Sequence, residues 1–436
     1  MVNGEMSQAA TPSDAFRRIV VVGLGYIGLP TAAVLATAGG VSVVGIDVRP
    51  DVVDTVNRGE IHIVEPMLDQ TVRDAVGGGK LRASLVPESA DAFLIAVPTP
   101  INPDKTSDLS FVMSAGESVA RVLKSGDIVI LESTSPVGTT ERLIEQMARV
   151  RPDLTFPRRG HGEAKVDVHV AYCPERVLPG KVVEELVAND RSIGGVTPAC
   201  TARAIALYRL FVKGQLLATD VRSAELCKLA ENAFRDVNIA YANELANVCE
   251  RLGMNVWEVI RLANHHPRVN ILLPGVGVGG HCIAVDPWFI AEAAPEDTPV
   301  IQASRRVNDG RPYRCFAQIE AAAKRFESDC GRRPIVALLG LSFKPNIDDL
   351  RESPAVELAE VALKEDIGEV WAVEPHIARL PEALSAHGLV LKSLEEACSE
   401  ADILAMLVDH QVFGQFAAMP PRDKIVLMFC RDSGRH

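Results

Sequence analysis

The stretch RRIVVVGLGYIGLPTAAVLATAGGVSVVGIDV constrains the fold more than any other part of the chain. A β-branched run, Ile19 to Val22, meets Gly23-x-Gly25-x-x-Gly28; a helix-compatible segment follows, then a second apolar run that ends in Asp47. Strand, tight turn, helix and strand, with an acid about 20 residues downstream, is the pattern of a dinucleotide-binding unit. Gly23 admits the turn, Gly25 lets backbone approach a pyrophosphate, and Gly28 lets helix pack on strand. The pyrophosphate would sit on the helix N-terminus. Asp47 would accept hydrogen bonds from the adenosine ribose and repel a 2′-phosphate, which points to NAD over NADP, with Arg49 weakening the preference slightly.

Three more strand-like runs follow, DAFLIAVPTP, GDIVILESTSP and VDVHVAYCPE, and each ends in small polar residues or proline. Ligand loops of an α/β sheet lie at such ends, so Thr99, Ser133, Thr134 and Glu175 fall where a cofactor or substrate can be met. Ordinary turn chemistry accounts for any one of them equally well. Residues 222 to 263 change character. RSAELCKLAENAFRDVNIAYANELANVCERLG has no proline and carries Leu226, Ala230, Ala233, Val237, Tyr241 and Val248 at helical spacing, reading as one long amphipathic helix. Lys228, Asn232 and Arg235 cluster on the opposite side, where a solvated face is the plain alternative to a functional one.

GVGVGGHCIAVDP, residues 275 to 287, then places Cys282 behind four glycines, either a packed thiol on a turn or a nucleophile. A second α/β unit starts at PIVALLGLSFKPN, with strand-like runs at EVWAVEP, ADILAMLVDH and KIVLMFC and a loop, FKPNIDDLRES, over 343 to 353. It lacks GxGxxG, which points to a different, nucleotide-like ligand. The expected fold is α/β: two Rossmann-like doubly wound domains joined by a long central helix.

Composition narrows the function. The formal charge of −12 without a basic cluster argues against nucleic acid as a main partner. No apolar run approaches the ~18 residues of a membrane span, so no insertion is expected. The start, MVNGEMSQAATPSDAF, lacks a signal-peptide apolar region and reads as a disordered tail over 1–16. Nine cysteines are scattered without CxxC or zinc spacing, and His265, His266 and His281 show no regular ligand pattern, so no metal is expected and a reducing cytoplasm is the natural location.

In order along the chain, VVGLGYIGLP, NRGEIHIVEP, LIAVPTP, LESTSPVG, AYCPERVLPG, CKLAENAFRDVNIA, HHPRVNILLPGVGVGGHCIAVDPW and FKPNIDDLRESPA resemble the UDP-glucose/GDP-mannose dehydrogenase family over roughly residues 17 to 420. The resemblance implies oxidation of the C6 alcohol of a UDP-sugar to a carboxylate, with two NAD reduced per sugar. It implies an NAD-binding domain over 17–215, a central helical region over 216–325 that carries the cysteine loop and forms a homodimer, and a C-terminal nucleotide-sugar domain over 330–436.

Residue by residue, Cys282 matches the family's catalytic cysteine, with Asp286 in the matching position four residues on. A thiolate can hold the intermediate aldehyde as a thiohemiacetal, whose oxidation gives a thioester that water cleaves. The preceding glycines would let sugar and nicotinamide approach. Lys228 and Asn232 match residues of proton transfer and oxyanion stabilisation. Glu175 matches the acid that assists thioester hydrolysis, with Thr134 placing water. Asp47, Thr99, Thr134 and Arg351, with the backbones of Tyr26 and Ile27, match NAD contacts. Arg176, Val177, Lys228, Asn232, Arg235, His266, Arg268, Gly279, Phe343 and Lys344 match substrate contacts, Arg268 in the neighbouring subunit's site.

Two departures stand out. Val52 occupies a position where relatives can carry a basic NAD contact, and the end, FCRDSGRH, loses the family's C-terminal frame, leaving Arg431 or Arg435 as stand-ins for its basic substrate contact. Two other classes of protein share part of this pattern. A two-electron β-hydroxyacid-type dehydrogenase shares Lys-x-x-x-Asn but needs neither Cys282 nor residues 335 to 430; a non-catalytic NAD-binding regulator would reduce no NAD with any nucleotide sugar.

Overall fold

A computed structural model describes residues 16–160, 165–280 and 282–430. The chain divides into two compact units, one running to Ala230 and the other from Glu231. The first contains eight strands: β1 (Arg18–Val22), β2 (Ser42–Ile46), β3 (Leu81–Ser84), β4 (Ala92–Ile95), β5 (Ile128–Leu131), β6 (His169–Tyr172), β7 (Arg191–Gly195) and β8 (Leu216–Asp220). They lie in the order β3-β2-β1-β4-β5-β6-β7-β8, parallel except for the antiparallel pair β6–β7. Strands β1, β4 and β5 read as unbroken apolar runs because both faces are covered. Ile19, Val21 and Leu94 face one core with the helix Gly28–Ala38; Val20, Val22, Phe93 and Ile95 face the other. Strand order reverses between β1 and β4, so the loops after these two strands flank the ligand crevice of a doubly wound sheet. Val52 is fully buried in the first of these cores, so its apolar character serves packing.

The second unit carries a parallel five-stranded sheet, β9 (Ile335–Leu339), β10 (Glu369–Val373), β11 (Val390–Leu391), β12 (Ile403–Met406) and β13 (Ile425–Met428), in the order β11-β10-β9-β12-β13. It reverses between β9 and β12. The expected loop over 343 to 353 ends where Ser353 caps the helix Pro354–Lys364, its hydroxyl accepting from the Ala355 N–H at 3.2 Å.

The central helix runs Val221–Leu252. It stops before Gly253, at φ +67°, and a separate helix, Val256–Ala263, starts behind the Asn255 cap. The apolar stripe expected on it is largely not the buried one. Of the six residues only Ala233 is buried, while Leu226, Tyr241 and Val248 are exposed. The buried face instead carries Ala224, Leu229, Ala233, Ala240 and Ala246 with the polar Glu225, Asp236 and Asn243. Small side chains allow close packing there, and the polar ones have buried partners. The Glu225 carboxylate accepts from the N–H groups of Gly138 and Thr140, and Asp236 is paired with Arg305.

Residues 1–15 of the expected tail lie outside the described residues, whereas Phe16 is fully buried beneath the Arg203 guanidinium. His281, Arg431 and Arg435 also lie outside them. Among the described residues no helix is long and apolar enough to cross a membrane.

Candidate active site

The glycine turn after β1 is shaped by contact as much as by torsion. Gly23 has φ +91°, and a Cβ there would lie 2.5 Å from the Ala96 carbonyl oxygen of the neighbouring loop. A Cβ on Gly28 would lie 1.7 Å from the Gly23 carbonyl oxygen, whereas one on Gly25 would meet nothing within 4 Å. The turn is thus closed on its protein side and open on the other. The helix Gly28–Ala38 starts without a side-chain cap; the Leu29 N–H donates to the Gly25 carbonyl at 3.1 Å and Pro30 has no N–H, so the Gly28 N–H, beside the exposed Tyr26 and half-buried Ile27, is the helix donor placed to meet an anion. Asp47 is held at this turn by the Leu24 N–H, 3.1 Å from Oδ2, and the Arg49 N–H, 3.0 Å from Oδ1. The loops after β4 and β5 are tied together: the Thr99 hydroxyl donates to the Thr134 carbonyl at 2.5 Å, and the Ser133 hydroxyl to the Val97 carbonyl at 2.7 Å. These residues form a cradle suited to a dinucleotide.

Glu175 follows β6 and is buried. Its Oε2 accepts from Arg191 Nη2 at 2.9 Å and its Oε1 from the Arg176 N–H at 2.6 Å. A buried carboxylate is tolerated only when so paired. Arg176 and Val177 are half-buried beside it. The backbone beyond them is held by Glu65, whose carboxylate accepts from the N–H groups of Gly180 (2.9 Å) and Val182 (2.8 Å).

On the central helix Lys228 and Asn232 are half-buried and Arg235 is exposed, so the face is only partly solvated. Asn232 Nδ2 donates to Asp286 Oδ2 at 2.5 Å, and Asp286 is buried. Cys282 is exposed, and its carbonyl accepts from the N–H groups of Val285 (3.1 Å) and Asp286 (2.9 Å) just ahead of the helix Asp286–Ala293. Asp286 therefore links the cysteine turn to Asn232.

Two of the glycines before Cys282 are required by the protein's own packing. A Cβ on Gly279 would lie 2.3 Å from the Glu352 carbonyl oxygen, and one on Gly280 2.9 Å from the Phe343 ring. The loop 343–352 of the same unit occupies that space. The start of the glycine run is clamped by Asn243, which accepts from the Gly275 N–H at 2.9 Å, and by Arg311, which donates to the Gly275 carbonyl at 3.0 Å. Phe343 and Lys344 are half-buried in that second-unit loop, and Arg351 forms a bidentate pair with Asp349. His266 and Arg268 are both exposed, with the Arg268 N–H donating to His266 Nδ1 at 3.4 Å.

Sequence reasoning did not find Arg191, Glu132, Glu65, Asn243 or His410. One signal was available for the first two: an ionisable residue bordering an apolar strand, as in VILEST and DRSIGG, has to find a buried partner. His410 is fully buried with Nε2 3.1 Å from Glu374 Oε2, and nothing in its local sequence marks it.

Comparison with known proteins gives the same picture from outside. Models of the UDP-glucose/GDP-mannose dehydrogenase family match residues 17–212 as the NAD binding domain, 222–310 as the central domain and 337–429 as the UDP binding domain. The UDP-N-acetyl-D-mannosamine dehydrogenase of Escherichia coli K12 is 56% identical over 403 residues, covering 92% of this chain and 95% of the relative. An NDP-N-acetyl-D-galactosaminuronic acid dehydrogenase of Ralstonia nicotianae is 55% identical over 412 residues, covering 94% and 95%. Among solved structures, the UDP-D-ManNAc dehydrogenase of Pyrococcus horikoshii superposes with a TM-score of 0.81 at 36% identity, covering 94% of this chain and 99% of that one. With all three domain models matched in order, the chain belongs to the UDP-glucose/GDP-mannose dehydrogenase family.

Proposed function

We propose that the chain oxidises the C6 alcohol of UDP-N-acetyl-D-mannosamine to UDP-N-acetyl-D-mannosaminuronate, a four-electron reaction that supplies a precursor for surface polysaccharide in the cytoplasm. The carrying observation is the exposed thiol of Cys282 on a turn tied through Asp286 to Asn232. Backbone N–H groups of the Gly23–Gly28 turn, with Asp47 and Thr99, would hold NAD, which would supply the hydride-accepting chemistry for both oxidations.

The chain's own residues carry the rest. Lys228 handles the alcohol proton, and its ammonium with the Asn232 amide stabilises oxyanions at C6. The Cys282 thiolate adds to the aldehyde, forming a C–S bond; loss of the second hydride leaves a thioester. Water, placed by Thr134, gives a proton to Glu175 and adds to the thioester carbonyl; the C–S bond breaks, regenerating the Cys282 thiolate and releasing the carboxylic acid, which loses its remaining proton to solvent to become the carboxylate. Arg176, Val177, Arg235, His266, Gly279, Phe343 and Lys344 hold the UDP-sugar, and Arg351 reaches the cofactor.

The functional assembly is a homodimer, with Arg268 serving the partner site. The support is a row of exposed apolar residues on the central helix, Phe234, Tyr241 and Val248 at seven-residue steps, extended by Leu252. A second copy of the same helix suits such a self-complementary row.

One specific observation favours a second sugar: a relative of nearly equal identity is named for an N-acetylgalactosaminuronic acid. A panel of UDP-sugars, with NADH yield measured per sugar consumed, tests both readings. The mannosamine substrate should give about two NADH per sugar and no free aldehyde. One NADH with a released aldehyde would end the four-electron reading, and a preference for the galacto epimer would reassign the sugar.

A further inference from the structure

The second unit buries an imidazole that the steps above do not use. His410, in the loop after β12, is fully buried, with its Nε2 3.1 Å from Glu374 Oε2. Its Nδ1 accepts from the Asn346 N–H at 3.0 Å. A backbone N–H only donates, so Nδ1 carries no proton here and the Nε2–H faces the carboxylate. Asn346 sits at φ +61°, a left-handed conformation that Asn tolerates better than most side chains. Its Oδ1 accepts from the Gln411 N–H at 2.9 Å. Two residues earlier the Lys344 carbonyl accepts from the Ser342 hydroxyl, whose oxygen lies 3.4 Å from His410 Nε2. One buried ring therefore anchors the chain on both sides of Pro345.

The same stretch leans on the cysteine turn. The Phe343 N–H donates to the Asp349 carbonyl at 3.2 Å, and the Glu352 carbonyl accepts from the Gly280 N–H at 3.3 Å. Gly280, two residues ahead of Cys282 and at φ +81°, has no room for a Cβ against the Phe343 ring; Gly279 has none against the Glu352 carbonyl. The loop is bonded to His410 on one side and packed against these glycines on the other. Close-packed interiors transmit a displacement rather than absorb it, so a shift at Asn346 reaches the cysteine turn.

We propose that His410 and Asn346 are positioning residues: they fix the loop 343–352 so that Phe343 and Lys344 meet the UDP moiety while the same loop backs the glycines ahead of Cys282. One segment thereby sets both the grip on the nucleotide and the placement of the thiol. This rests on the substrate role proposed for Phe343 and Lys344.

The two ring nitrogens are testable separately. His410→Asn puts an amide oxygen near the place of Nδ1 and keeps an acceptor for Asn346, but loses the Nε2 contact. His410→Gln reaches the place of Nε2 and still donates to Glu374, but leaves the Asn346 N–H without its acceptor. Each gives up one bond of a buried ring, so both should lose stability to a similar extent. Function should divide them. In His410→Gln the Kd for UDP, by titration calorimetry, should rise about tenfold or more. Its kcat with UDP-N-acetyl-D-mannosamine should also fall about tenfold or more. In His410→Asn both should stay within about threefold of wild type. Asn346 is exposed, so its variants carry the test if His410→Gln does not fold. Asn346→Ala, strained at this φ, should weaken UDP about fivefold, and Asn346→Gly, which adopts it freely, should recover most of that loss.

Equal UDP affinity and kcat in His410→Asn and His410→Gln overturn the proposal, as do equal values in Asn346→Ala and Asn346→Gly. An unchanged kcat in His410→Gln overturns the link to the cysteine turn. Lys344→Ala keeps this proposal apart from the reading it rests on. It should weaken UDP about tenfold and change kcat by less than about threefold. Wild-type UDP binding in Lys344→Ala removes the substrate role of the loop itself. Weakened binding there, with His410→Gln like wild type, removes only the positioning roles.

Discussion

The two sheets open with the same turn and then diverge. After β1 the chain reads Gly23-Leu24-Gly25, and after β9 it reads Gly340-Leu341-Ser342, each first glycine at φ +91°. Each of those glycines donates its N–H to the last residue of the next strand over, Gly23 to the Ile46 carbonyl at 2.7 Å and Gly340 to the Val373 carbonyl at 2.8 Å. In both, an acid just beyond that strand accepts from the turn: Asp47 from the Leu24 N–H, and Glu374 from the N–H groups of Leu341 (2.7 Å) and Ser342 (3.0 Å).

The difference lies in what surrounds them. At Gly25 there is open space and Asp47 is half-exposed. At the matching Ser342 the hydroxyl donates to the Lys344 carbonyl at 2.8 Å, and Glu374 is sealed in against His410. His410 Nδ1 in turn accepts from the Asn346 N–H at 3.0 Å, which assigns the Nε2 proton to the Glu374 contact. One copy of the turn is left open, with room for the proposed dinucleotide; the other is filled by its own side chains and shapes the loop from Phe343 onward. The same backbone device therefore binds a ligand or builds a loop, according to which side chains fill it.

The largest effect should come from filling the open turn. Gly25→Val places a branched side chain where the pyrophosphate must approach. NAD affinity, by titration calorimetry, should fall about 100-fold or more, roughly 2.7 kcal/mol, with the melting temperature nearly unchanged. An unchanged NAD affinity would break the contrast at its root.

Smaller effects should separate the two acids. Asp47→Asn should weaken NAD by about 10- to 100-fold and leave folding within about 1 kcal/mol. Glu374→Gln should leave NAD affinity alone and cost roughly 2–3 kcal/mol of stability, because charge-assisted bonds to buried partners are lost. Burial alone would raise the Glu374 carboxyl, but His410 and the Leu341 N–H outweigh it and hold it below its ordinary 4.5. Its contribution is thus present above about pH 4.5 and lost as pH falls through the lower folded value. Denaturant midpoints of wild type and Glu374→Gln should converge in acid, and a gap that stays constant with pH would contradict the assignment.

Much of this was legible in the sequence where the information is local. The β1 fingerprint, Asp47 and the apolar strands announce themselves because strands buried on both faces must be continuously apolar. The glycines before Cys282 are equally visible, but their reason is not: Phe343 and Glu352 press on them from far along the chain. The central helix misleads for a related cause. Glu225, Asp236 and Asn243 lie on its buried face because Thr140, Arg305 and Asn308 satisfy them there, and periodicity of apolar residues cannot reveal distant polar partners. Tyr241 and Val248 then fall on exposed surface, where a second copy of the chain is their proposed cover.

The central claim is that Cys282 carries the substrate between two oxidations, and Cys282→Ser tests it most directly. Serine keeps the size but is a poorer nucleophile and a far poorer leaving group. With NAD affinity confirmed as unchanged, uronic acid formation, followed by NADH absorbance and product mass, should fall by about 1,000-fold or more. Acid formation within a few-fold of wild type would show the thiol to be structural and contradict the account.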